Sequence, residues 1–179
     1  RKIGAMSTVT MNISLSDDLK AFVDARIKAR GYSSASEYVR DLVRRDEERA
    51  AEERFKALIQ EGLDSPIDPR SWEEHRTRTR ETTWPRVKPV RRLGRASADI
   101  DGVTAYYAAA VSPQTAERFV EELTRAMEHI GHHPGTGSTR YAGFAGVVGL
   151  RFWALRRFPY AVFYVERPHA IHLLRVLHQ

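Results

Sequence analysis

The 179-residue chain contains no cysteine, which excludes disulfide bonds and thiolate metal sites. Its apolar runs are far shorter than the roughly 18 residues that a membrane-spanning helix needs. The first residues also lack the apolar segment that is typical of a signal peptide. Together these absences predict a cytoplasmic protein that has no membrane partner.

Charge is distributed unevenly along the chain. The net charge is +6 and the pI is near 9.8. Residues 46–74 nevertheless carry 10 Asp and Glu against 4 Lys and Arg, whereas residues 85–179 carry 13 basic against 7 acidic residues. The acidic segment is therefore either a solvated helix or a segment that lies on one of the basic parts of the chain.

The first patterned stretch runs from Thr8 to Leu15, where apolar and polar residues alternate strictly. Such alternation is typical of a strand with one buried face. The next strong strand pattern comes only far down the chain, and a lone strand leaves its backbone groups unpaired along both edges. We therefore predict that this strand pairs with the same strand of a second copy, which gives a homodimer, with higher oligomers as a further option.

Two helices are predicted directly after this strand. Ser16 is a good N-cap for the first helix, and Gly31 provides its end. Ser34 and Glu37 have the spacing of a capping box at the start of the second helix. One strand and two helices are too short to enclose a core alone, which again favours an intertwined dimer.

Two segments resemble the ribbon-helix-helix antitoxins of the ParD type: M-N-I-S-L-S-D-D-L-K-A-F-V and G-Y-S-S-A-S-E-Y-V-R-D-L-V-R-R. The resemblance covers about residues 8–63. The resemblance implies that a two-stranded ribbon enters the major groove of operator DNA and reads base edges through Thr10, Asn12 and Ser14. The start of the second helix, with Ser33 and Ser34, would hold a DNA phosphate. An ordinary capping box is the alternative there.

The acidic segment contains no helix breaker from residue 44 to residue 61, and Gly62 is predicted to end the helix. A connector with two prolines follows. We interpret residues 49–76, the helix and the arm after it, as a segment that binds a partner surface through apolar anchors. These anchors are Phe55, Leu58, Ile59, Leu63 and Trp72, with Ile67 in the same arm.

The C-terminal half has the pattern of an α+β domain. From Val87 onward a strand is followed by two helices, joined at Ser112 and Pro113, and then by three strands with short turns. This order predicts a helical hairpin on one face of an antiparallel sheet. The predicted organisation is a ribbon-helix-helix domain over residues 6–48, a helix and arm over 49–76, a linker over 77–86 and the α+β domain over 87–179.

Five segments of this half resemble ParE-type toxins of the RelE/ParE superfamily, over about residues 90–178. They are D-I-D-G-V-T-A-Y-Y, A-E-R-F-V-E-E-L, H-H-P-G-T-G, A-V-F-Y-V and L-L-R-V-L-H. The two resemblances together imply a toxin–antitoxin module in one chain. Its antitoxin half would neutralise the toxin and repress the operon, and its toxin half would inhibit DNA gyrase without being an enzyme.

Two alternatives stay open. The superfamily also contains ribosome-dependent mRNA endonucleases, and the chain could act mainly as a transcriptional repressor. Those nucleases resemble one another in a lysine-rich sheet face, whereas no lysine follows Lys88 in this chain. Gyrase inhibition is therefore the favoured prediction.

Cationic and hydrogen-bonding side chains near the C-terminus are candidates for toxin activity. They are Arg151, Arg156, Arg157, Tyr160, Tyr164, Arg175 and His178. The tyrosines could equally be packing residues, and the paired arginines could belong to a solvated turn. His132 and His133 are adjacent, a poor spacing for shared metal ligation, so we predict no metal site and no cofactor.

Overall fold

The computed structural model describes residues 10–70 and 87–179. The chain divides into two compact units, Arg1–Ala50 and Ala51–Gln179. The described residues form a mixed α+β protein with helices toward the N-terminus and a four-stranded sheet toward the C-terminus, which confirms the predicted class. The exact domain limits stay predictions. Neither residues 10–70 nor residues 87–179 include a helix long and apolar enough to cross a membrane.

The N-terminal unit contains helix α1, Asp17–Arg30, and the first part of helix α2, Ala35–Asp64. Helix α1 ends as predicted at Gly31, whose φ of +73° is in the left-handed region that glycine adopts without strain. Residues 10–15, the described part of the predicted strand, pair with no other strand in residues 10–70 and 87–179. A strand forms only when it is paired, and the described residues of the single chain offer no partner strand here. Pairing with a second copy therefore stays a prediction.

Helix α2 is longer than predicted. Gly62 lies inside its last turn and does not end it, because the helix continues to Asp64. A Cβ atom on Gly62 would lie 2.7 Å from the backbone oxygen of Leu174. This glycine therefore allows a close approach between two backbones, which is the other common reason for glycine in a regular element.

The C-terminal unit contains strands β1 (Val90–Arg92), β2 (Leu150–Ala154), β3 (Tyr160–Glu166) and β4 (Ile171–His178) in the order β1-β4-β3-β2. Strands β2, β3 and β4 form the predicted antiparallel meander. The expectation of a purely antiparallel sheet is wrong, because β1 runs parallel to β4. The long stretch between β1 and β4 gives the chain enough length to return in the same direction.

Helices α3 (Gly94–Ala110) and α4 (Pro113–His132) form the predicted hairpin and pack on one face of this sheet. The hydroxyl of Ser112 accepts a hydrogen bond from the Thr115 N–H at 3.1 Å, so α4 begins with the predicted cap. A turn of 3₁₀ helix, Pro134–Thr136, and the short helix α5, Ala142–Ala145, lead into β2. The core on this face includes Phe119 and Met127.

Strand β3 is buried on both faces. Val162 and Tyr164 point into the core formed with α3 and α4, whereas Ala161, Phe163 and Val165 belong to a second core on the opposite side. A continuous apolar run is typical of a strand that is covered on both sides. The sheet therefore needs a second cover, and residues 51–64 of α2 provide it.

Candidate functional site

The last turns of α2 lie on the second face of the sheet. Ile59 is fully buried there, at 0% exposure, in a core with Leu93, Phe163 and Leu174. Complete burial of one such side chain contributes roughly 1.5–3 kcal/mol. The acidic segment thus lies on a basic part of the chain, which was one of the two alternatives for it.

The predicted apolar anchors of this segment differ in how deeply they are buried. The Phe55 ring meets the rings of Phe163 and Tyr141 at centroid distances of 5.3 and 5.1 Å, and Leu63 packs at the margin of the same core. Leu58 is half-buried, and its carbonyl is used in a hydrogen bond described below. Trp72 lies outside the described residues. Ile67 remains 43% exposed, so it is a weaker anchor than its sequence context suggests.

The guanidinium of Arg175, on β4, forms hydrogen bonds with residues of both α3 and α2. Its Nε and Nη2 groups donate to the two carboxylate oxygens of Asp99 at 2.8 and 3.0 Å. Its Nη1 group donates to Glu61 Oε2 at 2.9 Å and to the Leu58 carbonyl at 3.1 Å. Burial disfavours the charged form, but Asp99 and Glu61 outweigh it and raise the pKa of Arg175. The guanidinium is therefore cationic and held between α3 and α2.

Glu61 binds a second cation as well. Its other carboxylate oxygen forms an ion pair with Arg95, which lies in the first turn of α3. One carboxylate of α2 therefore bridges two arginines of the C-terminal unit. Gly62, the next residue, allows α2 to approach β4 closely enough for this bridge to form.

Residues 65–70, which we call the strap, extend the sheet beyond β1. The Asp68 N–H donates to the Arg92 carbonyl at 2.9 Å, and Ile67 forms an antiparallel bridge with Leu93. The Asp68 carboxylate is almost fully buried, and its hydrogen bonds with Arg70 hold its pKa well below the usual range. The strap is thus an edge segment that covers β1.

The strap also caps helix α3. Leu93, the N-cap residue, has no side chain that can accept a hydrogen bond. The Gly94 N–H donates instead to the Pro66 carbonyl at 2.7 Å, and the Arg95 N–H donates to the Ser65 hydroxyl at 3.2 Å. Free N–H groups at a helix start need such acceptors.

The other candidates for toxin activity do not gather around Arg175. Tyr164 is fully buried, donates to the Pro134 carbonyl at 2.9 Å and accepts from the Gly137 N–H at 3.0 Å. Burial raises the pKa of its hydroxyl. Arg151, its cross-strand neighbour, donates to the Gly137 carbonyl at 2.8 Å. Tyr164 has a packing role in this structure, because its side chain is enclosed.

The remaining candidates lie near the turn between β2 and β3 and at the end of β4. Arg156 and Arg157 are exposed, and their backbone N–H groups both donate to one carboxylate oxygen of Glu122. Tyr160 is half-buried and contacts the ring of the exposed His178 at a centroid distance of 5.2 Å. These side chains are far more accessible than Arg175 and Tyr164.

The predicted DNA-binding residues lie in the N-terminal unit. Thr10, Asn12 and Ser14 are exposed and belong to no helix or strand of the single chain. The turn before α2 has the expected capping hydrogen bonds: the hydroxyl of Ser34 accepts from the Glu37 N–H at 3.1 Å. The N–H and hydroxyl of Ser33 donate to the Glu37 carboxylate, which lowers its pKa. A phosphate at Ser33 would have to replace this carboxylate.

Comparison with protein families identifies both halves of the chain. The model of the bacterial antitoxin of the ParD type II system, which includes the ribbon-helix-helix, matches residues 6–69, and the model of the ParE toxin matches residues 90–179. The chain belongs to the ParD and ParE families. Its antitoxin part is 47% identical over 72 residues to antitoxin ParD4 of Caulobacter vibrioides, a match that covers 40% of this chain and 75% of that protein.

A solved structure described as the chromosomal ParDE toxin–antitoxin system from P. aeruginosa also aligns with the chain. The alignment has a TM-score of 0.44 and 20% identity, and it covers 51% of this chain and 96% of the other. The family matches place Glu61 and Gly62 in the antitoxin part and Arg95, Asp99 and Arg175 in the toxin part. The covered sheet face is therefore a contact between antitoxin and toxin within one chain.

Sequence reasoning found part of this contact. Arg175 was a candidate, and the apolar residues of α2 were identified as anchors. The partners of Arg175, which are Asp99 and Glu61, were missed, as was the close approach at Gly62, whereas the strap lies within the predicted arm of residues 49–76. The available signal was an acidic residue two positions after the predicted anchor Ile59 and directly before a glycine, although this pattern does not identify Arg175 as its partner.

Proposed function

We propose that the antitoxin part neutralises the toxin part within the same chain, and that the toxin part inhibits DNA gyrase when it is free. The observation that carries the proposal is the cover formed by residues 51–64, in which Ile59 is fully buried and Glu61 binds Arg175. Membership of the ParE family supports a toxin that acts by binding a protein. The module acts in the cytoplasm, where gyrase and the operator are present.

A supercoiling assay with purified gyrase tests this proposal. Residues 87–179 alone should inhibit supercoiling, the intact chain should not, and residues 1–70 added in excess should restore supercoiling. Circular dichroism of the fragment must show folded secondary structure. A folded but inactive fragment, or an intact chain that inhibits equally well, contradicts the proposal. Cleavage of ribosome-bound mRNA by the fragment would favour the endonuclease instead.

The antitoxin part, in this proposal, also dimerises and represses its own operon. Several large apolar side chains of the N-terminal unit are exposed in the single chain, at 69% for Met11, 53% for Ile13 and 53% for Phe22. Exposed apolar groups of this size on one small unit favour an interface with a second copy. Pairing of residues 8–15 across the dimer would turn Thr10, Asn12 and Ser14 toward the DNA.

Changing Asn12 to Ala is expected to weaken operator binding by about tenfold and to relax the preference for one base, because an amide that pairs with a base edge contributes roughly 1–3 kcal/mol of discrimination. Binding should be measured by fluorescence anisotropy with the operator and with a shuffled duplex. Ser33→Ala, at the predicted phosphate site, is the comparison: loss of a phosphate contact should weaken binding to both duplexes alike, because phosphate contacts carry no sequence information. Unchanged affinity and sequence preference for Asn12→Ala would remove Asn12 from base readout.

A further inference from the structure

The covered face of the toxin part contains one buried cation, Arg175, and a second, partly exposed cation, Arg95. Arg175 is 8% exposed, and the side chain of Arg95 is 53% exposed. Both bind the carboxylate of Glu61, which comes from the antitoxin part. Leu93 and Leu174 of the second core lie within two residues of them in the chain. The two arginines thus hold one carboxylate at the edge of an apolar surface.

The toxin part supplies only half of the partners of Arg175. Asp99 binds the Nε and Nη2 groups and stays in place when α2 leaves, since it lies on α3. The Nη1 group donates to Glu61 and to the Leu58 carbonyl, and both acceptors leave with α2. A toxin part without its cover therefore keeps an oriented guanidinium, whose Nη1 group can donate to a carboxylate in the position that Glu61 occupies in the intact chain.

The start of helix α3 adds to the same site. Its first N–H groups are bound by Pro66 and Ser65 of the strap, and its N-cap residue Leu93 offers no side-chain acceptor. The aligned peptide dipoles of a helix give its N-terminus a partial positive charge. Arg95 lies in this first turn. Release of the antitoxin segment would thus uncover two arginines and a positive helix end together.

We propose that Arg95, Arg175 and the first turn of α3 form an acid-accepting site, in which the toxin part holds a carboxylate of its protein target. In the intact chain Glu61 occupies this site in place of the target. The proposal rests on the proposed function, because it concerns the target that the free toxin part binds. A nucleic-acid phosphate fits less well, since the same sheet face carries the apolar core of Leu93, Phe163 and Leu174, which suits an apolar protein surface that carries one acid.

The test uses the full chain, opened by the change Ile59→Lys that is described in the Discussion. Arg95→Glu is added to this chain, and Arg118→Glu is the matched control, because it makes the same charge change at an exposed position of α4. Growth arrest on expression is the first measurement, since it does not require that the target be known. Arg95→Glu should relieve the arrest, Arg95→Lys should relieve it in part, and Arg118→Glu should leave it unchanged.

Binding to purified gyrase without DNA, and to duplex DNA without gyrase, is the second measurement. Arg95→Glu should weaken gyrase binding by about tenfold or more, as expected for a charge reversal at a contact, and Arg118→Glu should not. Arrest that persists unchanged with Arg95→Glu overturns the acid-accepting site, as does a loss confined to DNA binding. Absence of any arrest in the opened chain overturns it too. If Arg95→Glu relieves the arrest but leaves gyrase binding unchanged, only the identification of gyrase as the target is overturned.

Discussion

Replacing Ile59 by lysine is expected to turn the intact chain into an inhibitor of growth. Ile59 has no exposed surface, so the change removes roughly 1.5–3 kcal/mol of apolar burial. It also places an ammonium group in an apolar core, which costs several kcal/mol more. Because each 1.4 kcal/mol shifts an equilibrium tenfold, the uncovered form should rise by three orders of magnitude or so. Growth after induction is the measurement.

The control for this experiment is Ala57→Lys. It adds the same charge to the same helix at an exposed position and should leave growth normal. Co-expression of residues 1–70 in trans should rescue cells that carry Ile59→Lys, which distinguishes release of a folded toxin part from general misfolding. Normal growth with Ile59→Lys, at protein levels equal to the control, would show that residues 51–64 do not restrain the toxin part.

Alanine at Gly62 and alanine at Gly102 are expected to have effects of opposite sign on the stability of the C-terminal unit. Both glycines lie within helices, where alanine is ordinarily preferred by about 0.5–1 kcal/mol. Nothing lies within 4 Å of a Cβ built on Gly102, so Gly102→Ala should stabilise by about this amount. At Gly62 the new Cβ would lie 2.7 Å from the Leu174 carbonyl oxygen, and overpacking of this kind costs about 1–3 kcal/mol.

The stability change caused by each substitution is measured by denaturant unfolding, which is followed by the fluorescence of Trp153 in β2. Because Trp72 and Trp84 also emit, they are replaced by phenylalanine in all the chains compared. The midpoint should fall for Gly62→Ala and rise for Gly102→Ala. Equal stabilisation by both substitutions would mean that α2 can move away from β4 at no cost, and that the close approach does not contribute to stability.

The local elements of this fold could be predicted from sequence because their signals are local. Ser34 and Ser112 mark helix starts through hydrogen bonds to residues three positions later, and Gly31 marks a helix end through its own φ. The meander follows from apolar runs separated by short turns. Pairing of β1 with β4 could not be derived this way, since it joins segments about 80 residues apart and depends on how both cores are filled.

The candidate site was predictable in part for the same reason. An apolar stripe identifies Ile59 as an anchor, but no local pattern shows that Glu61 meets Arg175 or that Ser65 caps α3. Tyr164 is instructive, because the run Y-A-V-F-Y-V around it is nearly continuous in apolar character. Such a run indicates burial on both faces, which favours packing over an exposed functional role for this tyrosine.

The position of β4 in the sheet bears on how the protein is made. This strand lies between β1 and β3, yet it follows every other described element in the chain. Ribosomes release the chain from its N-terminal end, so residues 51–70 are synthesised well before β4. The sheet can therefore close only when the helix and strap that cover it are already available. Translation order thus makes the cover available before the toxin sheet can be completed.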